Sequence, residues 1–249
     1  MAKVINDLLG YHDMKIVQDT EWFNFSLDSV LLAQFVTINK GVKNILDLGT
    51  GNAPIPLFLS KRTNANIVAV DIQKDCCDLA IESIKINNLE DQIRVFNEDI
   101  KNLKHHFSDG SFDVVVTNPP YFEVRDSSKI NVNDHKAIAR HEINITLTQL
   151  IEVASYLLDN KGVFAMVHRT ERLSEIIRIL EANRLTVKKL KFIYSKDGTN
   201  SNMVLIESVK NAKKGLKVLT PTIVHNKDGS YKDNIIKIFE GGMYESEKF

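Results

Sequence analysis

The stretch Phe112-Asp113-Val114-Val115-Val116-Thr117-Asn118-Pro119-Pro120-Tyr121 constrains the fold more than any other in the chain. Its β-branched run reads as a buried strand, where such side chains pack well on a pleated surface. The strand must stop at Asn118, because the two prolines bring no N–H to a sheet ladder. A polar amide, a carbonyl freed from the ladder and an aromatic ring are thus left together at a strand's C-terminal end. Open α/β sheets bind their ligands at that end.

This grouping suits chemistry on a planar nitrogen. An exocyclic amine is a poor nucleophile because its lone pair is delocalised. The Asn118 side-chain oxygen and the Pro119 carbonyl can each accept one of its N–H bonds, turning the lone pair toward an electrophile while Tyr121 stacks on the π-face. The tetrapeptide alone would also serve as a strand-ending turn, so the upstream residues have to decide.

With 249 residues, 43% hydrophobic and 26% charged, the chain is expected to form one soluble domain with a substantial core. No apolar run approaches the roughly 18 residues of a membrane span, and Met1–Gly10 lacks a signal peptide's basic start and apolar middle. Cys76 and Cys77 are adjacent on an expected helix, so no disulfide framework is expected and a reducing cytoplasm fits. The seven histidines show no metal-ligand spacing with them, and no metal is expected. The net charge of zero is unevenly spread: residues 184–237 hold 12 of the 32 basic and 4 of the 32 acidic residues, a local balance of +8. Such a surface either is a solvated lysine-rich face or holds a polyanion.

Residues 3–25 read as a lead-in, with residues 15–18 extended. Ser26 then caps an amphipathic helix carrying Leu27, Leu31, Leu32 and Phe35 on one face. Phe23 and Phe25 serve packing or cover a cofactor; Phe25 and Asp28 are kept as candidate cofactor contacts. Residues 44–56 pass from a short strand through Asp47-Leu48-Gly49-Thr50-Gly51-Asn52 into a helix beginning at the prolines. The glycines permit close approach to a ligand and the helix start offers free N–H groups. Pro54 stands where a dinucleotide fingerprint needs its third glycine, so that reading fails. A second strand, 66–71, ends in Asp71 and is followed by Ile72; Asp71 lies 24 residues after Asp47, where a β-α-β unit places a ribose-binding carboxylate. After a helix over 74–87, strand 92–96 leads to Asp99 and Ile100, placed to read an adenine. Acids ending three successive strands argue against surface turns.

Residues 122–143 are polar and mixed, with Phe122, Arg125, Lys129, Lys136, Arg140 and His141, and read as a substrate-facing flap rather than the alternative, a disordered surface insertion. Helix 147–158, strand 162–168, helix 171–182 and two apolar stretches around a turn at 195–202 follow, making seven strands. Lys196 in that turn, with Pro120, Phe122, Arg140 and His141, is a candidate substrate contact.

Asp47-x-Gly49-x-Gly51, Asp71, Asp99 and Asn118-Pro119-Pro120-Tyr121 together resemble the class I S-adenosylmethionine-dependent methyltransferases that modify amino groups, over about residues 23–209. The resemblance implies a Rossmann-like α/β fold: a seven-stranded, mostly parallel sheet with a reversed last strand and helices on both faces. It divides the chain into a lead-in and helix over the cofactor site (1–43), a methyltransferase core (44–209) and a basic extension (210–249). It also implies S-adenosyl-L-methionine over Gly49, Thr50, Gly51 and Asn52, with its ribose on Asp71 and its adenine near Asp99 and Ile100. Phe23-x-Phe25-Ser26-x-Asp28, Thr50-Gly51-Asn52 before Ile55-Pro56-Leu57, and Ala139-Arg140-His141-Glu142 are similar to the bacterial tRNA (adenine-N6)-methyltransferases acting at position 37 of valine tRNA. The implied activity is methyl transfer to adenine N6, with Asn118, Pro119 and Tyr121 catalytic and the anticodon stem-loop as partner; separately from the resemblance, a monomer is the expected working form. Ala53 departs from the glycine common at its position.

A protein-glutamine methyltransferase or an rRNA amino-group methyltransferase would present the same motif. The former usually carries a helical N-terminal domain, whereas about 43 residues precede the first strand of the core here. DNA adenine methylation lacks room for a target-recognition domain. A non-catalytic binding module is disfavoured by the intact Asn118–Tyr121 motif.

Overall fold

The computed structural model describes residues 3–9, 11–19, 27–121 and 145–240. The chain opens with an antiparallel hairpin, β1 (Lys3–Leu8) and β2 (Tyr11–Asp19), followed by α1 (Leu27–Phe35). The core then alternates β3 (Asn44–Leu48), α2 (Pro54–Ser60), β4 (Asn66–Asp71), α3 (Lys74–Ile86), β5 (Ile93–Asn97) and β6 (Phe112–Thr117). Further along come α4 (Leu147–Leu157), β7 (Leu158–Arg169), α5 (Leu173–Ala182), β8 (Leu185–Lys196) and β9 (Ser201–Lys210). Two short strands, β10 (Lys217–Val218) and β11 (Thr222–His225), and α6 (Asp233–Phe239) end the described chain.

The central sheet runs β10-β8-β9-β7-β6-β3-β4-β5, with β11 also on β8. Strands β3 to β7 are mutually parallel, and β9 is antiparallel to both β7 and β8. The chain starts mid-sheet at β3, moves outward to β5, then returns to the other side of β3 with β6. That reversal opens a crevice above the C-terminal ends of β3 and β6, where such sheets hold ligands.

The valine run of β6 is apolar throughout because both faces of the strand are covered. Val114 and Val116 enter one core with Ile45, Ile67 and residues of α1 and α2; Val115 enters the other with Leu46, Leu48 and residues of α4 and α5. Alternate side chains of a strand point to opposite faces, so one continuous run serves both layers.

Two expectations are corrected and one is extended. Among the described residues the sheet has nine strands rather than seven, because β10 and β11 extend it beyond β8. β10 is only two residues long with Val218 62% exposed, and β11, although Thr222 and Val224 are buried in alternation, is only four residues long. The lead-in is a hairpin over residues 3–9 and 11–19, and the extended stretch expected at 15–18 is part of its β2. Side chains of α3 and of its C-cap hold it: the C-cap Asn87 bonds both the N–H and the carbonyl of Lys15, and Ser83 Oγ accepts the Val17 N–H. Finally, α1 is buried on nearly every side, Ser29 and Ala33 included, rather than amphipathic. It packs against α2 and strands β7 and β9, and Arg62 bonds the Ala33 and Val36 carbonyls at its C-terminal end.

Candidate functional site

Sheet register brings the motif segments together. Leu48 pairs with Thr117 and with Val70, and Asp71 pairs with Asn97. Gly49 and Asn118 therefore leave the sheet side by side, with Asp71 and Asp99 on the next two strand ends. Neighbouring strands lie about 4.8 Å apart, so the row spans roughly 15 Å.

The loop after β3 is tightly tied. The N–H groups of Gly49 and Thr50 both donate to the Val70 carbonyl, and Gly51 N–H donates to Asp71 Oδ2 at 2.8 Å. Gly49 and Gly51 have φ of +72° and +59°, and a Cβ at either would meet nothing within 4 Å. The loop surface thus faces open space while its backbone sits in a left-handed conformation that suits glycine. Asp47 is fully buried: Oδ2 accepts the Thr50 hydroxyl at 2.6 Å, and Oδ1 has no partner. Burial pushes its carboxyl up to about 7, with Asp71 adding to the shift and the Thr50 bond opposing it. Asn52 donates to the Val17 carbonyl at 3.0 Å, fastening this loop to the hairpin. The start of α2 offers fewer donors than the sequence suggested. Pro54 and Pro56 have no N–H, and Leu57 N–H is used by the Ala53 carbonyl.

Asp71 also accepts the Gln73 N–H through Oδ1, and burial raises its carboxyl above the ordinary range. Ile72 beside it is 41% exposed, an apolar side chain left uncovered at the rim, whereas Ile100 is buried. Asp99 caps a short 3-10 turn through the Lys101 N–H and pairs with the Lys101 ammonium at 3.2 Å.

At the end of β6, Asn118 Nδ2 lies 3.3 Å from Ser29 Oγ, and the Tyr121 hydroxyl donates to Asn118 Oδ1 at 2.6 Å. Asp28 Oδ2 stands 3.0 Å from the same hydroxyl. Burial, and next the Asp28 charge, hold the phenol well above its ordinary pKa. Pro119 is buried and Pro120 half-buried. The Tyr121 ring meets the ring of His168 edge-on at 5.5 Å. His168 and Ser29 were not anticipated as site residues. The available signal for His168 was its place at the end of the strand expected next after Asn118.

Lys196 lies at the end of β8, three strands away from β6, with its ammonium 3.5 Å from the Lys227 carbonyl. Phe25, Phe122, Arg140 and His141, and with them the expected flap and the Ser26 cap, lie outside the described residues. Among the described residues there is no cluster of three or more His, Cys, Asp or Glu able to hold a metal. No helix there is long and apolar enough to cross a membrane.

The methyltransferase small domain family matches residues 25–193. The tRNA1(Val) (adenine(37)-N6)-methyltransferase of Phocaeicola vulgatus is 30% identical over 201 residues, covering 81% of this chain and 83% of the relative. That of Tolumonas auensis is 29% identical, covering 79% and 80%. Among solved structures, a predicted O-methyltransferase from Agrobacterium tumefaciens superposes with a TM-score of 0.68 at 19% identity, over 86% of this chain and 96% of the other. The tRNA m1G37 methyltransferase of M. jannaschii does so at 0.59 and 18%, over 85% and 57%. These two share the fold. Three acids and an Asn-Pro-Pro-Tyr turn aligned on one sheet end, joined to a family match over most of the sheet, place the chain in the methyltransferase small domain family and in the family of the tRNA1(Val) (adenine(37)-N6)-methyltransferases.

Proposed function

We propose that the protein methylates N6 of an adenosine in tRNA, the one at position 37 beside the anticodon of tRNA(Val), acting as a monomer in the cytoplasm. The observation that carries this reading is the Leu48–Thr117 pairing, which sets the Gly49–Gly51 loop beside Asn118 at the crevice.

The residues present fit S-adenosylmethionine. The glycine loop opens onto free space, buried Asp47 Oδ1 is an acceptor without a donor, and Ile72 offers an exposed apolar face beside Asp71. Asp47, Gly49, Thr50, Gly51 and Asn52 would line it, Asp71 would accept from ribose hydroxyls, and Ile72, Asp99 and Ile100 would flank the adenine. Asp28 and Phe25 would close the site from the α1 side. The bound donor supplies an electrophilic methyl on a sulfonium.

Asn118 Oδ1 and the Pro119 carbonyl accept the two N–H bonds of the target amine, which draws its lone pair out of conjugation with the ring and toward the methyl group. Tyr121 stacks on the base, an interaction of about 1–3 kcal/mol. Holding the reactants aligned can contribute roughly 7–11 kcal/mol. An anticodon-loop adenosine is already outside a duplex, so presenting it costs only a few kcal/mol. Pro120, Phe122, Arg140, His141, Lys196 and the basic residues of 184–237 would contact the RNA.

The test is incubation with labelled S-adenosylmethionine and total tRNA from a strain lacking the gene, followed by nucleoside mass spectrometry. N6-methyladenosine in one anticodon loop is the expected result. No incorporation into tRNA overturns the reading.

A further inference from the structure

Among the described residues, four buried side-chain atoms lack a hydrogen-bond partner: Asp47 Oδ1, His168 Nε2, Arg169 Nε and Ser208 Oγ. Asp47 belongs to the site above. His168 and Arg169 are successive donors at the C-terminal end of β7, the strand beside β6. Thr117 pairs with Met166, so His168 stands two residues past that pair, level with Pro119.

The tautomer of His168 follows from its one bond. The Arg169 backbone N–H donates to Nδ1 at 2.8 Å, so Nδ1 presents its lone pair and the neutral ring carries its proton on Nε2. Burial keeps the ring neutral, with its pKa pushed down to about 4. A fully buried N–H with no acceptor is costly and calls for an explanation. The Tyr121 ring packs against it, and the Tyr121 hydroxyl occupies Asn118 Oδ1, the acceptor an incoming amine requires. An amino heterocycle offers replacements for both contacts. Its N–H takes the place of the tyrosine O–H, and a ring nitrogen flanking the amino group brings a lone pair for His168. Adenine has two such nitrogens, N1 bonded to the amino carbon and N7 one ring atom further away on the other side.

We propose that His168 reads the target base: with Tyr121 turned out to stack on the ring, His168 Nε2–H donates to the adenine nitrogen beside the amino group, and Arg169 meets a phosphate of the same RNA strand. The inference rests on tRNA adenine methylation as the activity.

The test uses full-length enzyme and tRNA(Val) carrying adenosine, 1-deazaadenosine or 7-deazaadenosine at the target position. Wild type should lose roughly tenfold or more in kcat/KM on one analogue. His168→Phe, which keeps a ring but no donor, should be slower on adenosine and lose that discrimination. His168→Gln, which keeps an N–H, should recover part of both. Comparing enzymes on the same analogue cancels any intrinsic change in amine reactivity, and unchanged S-adenosylhomocysteine affinity checks that His168→Phe is folded. Arg169→Gln should lower the slope of log K against log salt by about one. Equal rates on all three substrates, or full discrimination by His168→Phe, overturns the role of His168; an unchanged salt slope overturns that of Arg169. A wild type that leaves the adenosine tRNA unmethylated overturns the activity itself and this inference with it.

Discussion

The Tyr121 hydroxyl donates to Asn118 Oδ1 at 2.6 Å, so two residues assigned to one substrate engage each other directly. The hydroxyl stands in for the N–H of the target amine, whereas the proposed stacking uses only the ring. Tyr121→Phe should therefore keep kcat/KM within about fivefold of wild type. Tyr121→Ala should lose the stacking, about 1–3 kcal/mol or roughly 5–150-fold. Asn118→Ala should cost about 10²–10³-fold, as removal of one preorganised polar group at a reacting centre does. Initial rates on tRNA(Val) decide. A Tyr121→Phe enzyme as slow as Tyr121→Ala would transfer the role from ring to hydroxyl.

Asp47 makes stability and pH move in an unusual direction. Its carboxyl ionises near 3.8 when unfolded and near 7 when folded, so between these values the native chain holds a proton the unfolded chain has shed. Stability from this group is complete below about pH 4 and is lost as pH rises through 7. Asp47→Asn should remove that dependence, which denaturant melts from pH 4 to 8 would show as a flatter stability profile than wild type. A cation bound beside Oδ1 favours the ionised form, so S-adenosylhomocysteine, through its ammonium, should bind wild type more tightly at pH 8 than at pH 6. It should bind Asp47→Asn with little pH dependence.

Much of this site was legible because strand ends carry their own signals. A β-branched run stopped by Pro119 and Pro120, and acids at Asp47, Asp71 and Asp99, fix four strand ends within one or two residues. The reciprocal bonds were not legible. That Asp71 would tie down Gly51, or Asn52 reach Val17, depends on contacts between segments 20 and 35 residues apart. His168 directly follows a run, Val163–Val167, that announces only a buried strand, so its place at the strand end was the sole signal. The added strands β10 and β11 escaped because runs of two and four residues are too short to stand out as strands.

Ala53 explains why its position favours glycine. It is fully buried at the start of α2 with φ 64° and ψ 38°, a left-handed conformation costing a residue with a Cβ about 1–2 kcal/mol. Ala53→Gly removes that cost but gives the unfolded chain about 0.4–1 kcal/mol more entropy to lose. A net gain of roughly 0.5–1 kcal/mol is expected, raising Tm by about 1–4 °C. Ala53→Val, β-branched in the same conformation, should lower it. Calorimetry on the two variants separates backbone strain from packing, since packing alone would rank them the other way.

The basic stretch divides into structural and solvent-facing lysines, and salt should tell them apart. Lys189 stands 2.9 Å from Glu207, whose 3% exposed side chain also accepts the Thr37 N–H and hydroxyl. Lys189→Met leaves that carboxylate without its cation. The expected cost is about 2–3 kcal/mol, below the roughly 3–5 of a fully buried pair because Lys189 is 23% exposed. Lys213 and Lys214 are exposed in the turn after β9. Changing both to alanine should leave Tm within about a degree, since surface changes are usually small. If the RNA backbone runs along this edge, the double variant should reduce the salt slope of tRNA binding by up to about two, one for each phosphate that no longer meets an ammonium. Filter binding from about 50 to 300 mM salt, where counterion release governs the affinity, provides the readout. An unchanged slope would place the RNA away from the β9–β10 turn and return these lysines to the role of a solvated face.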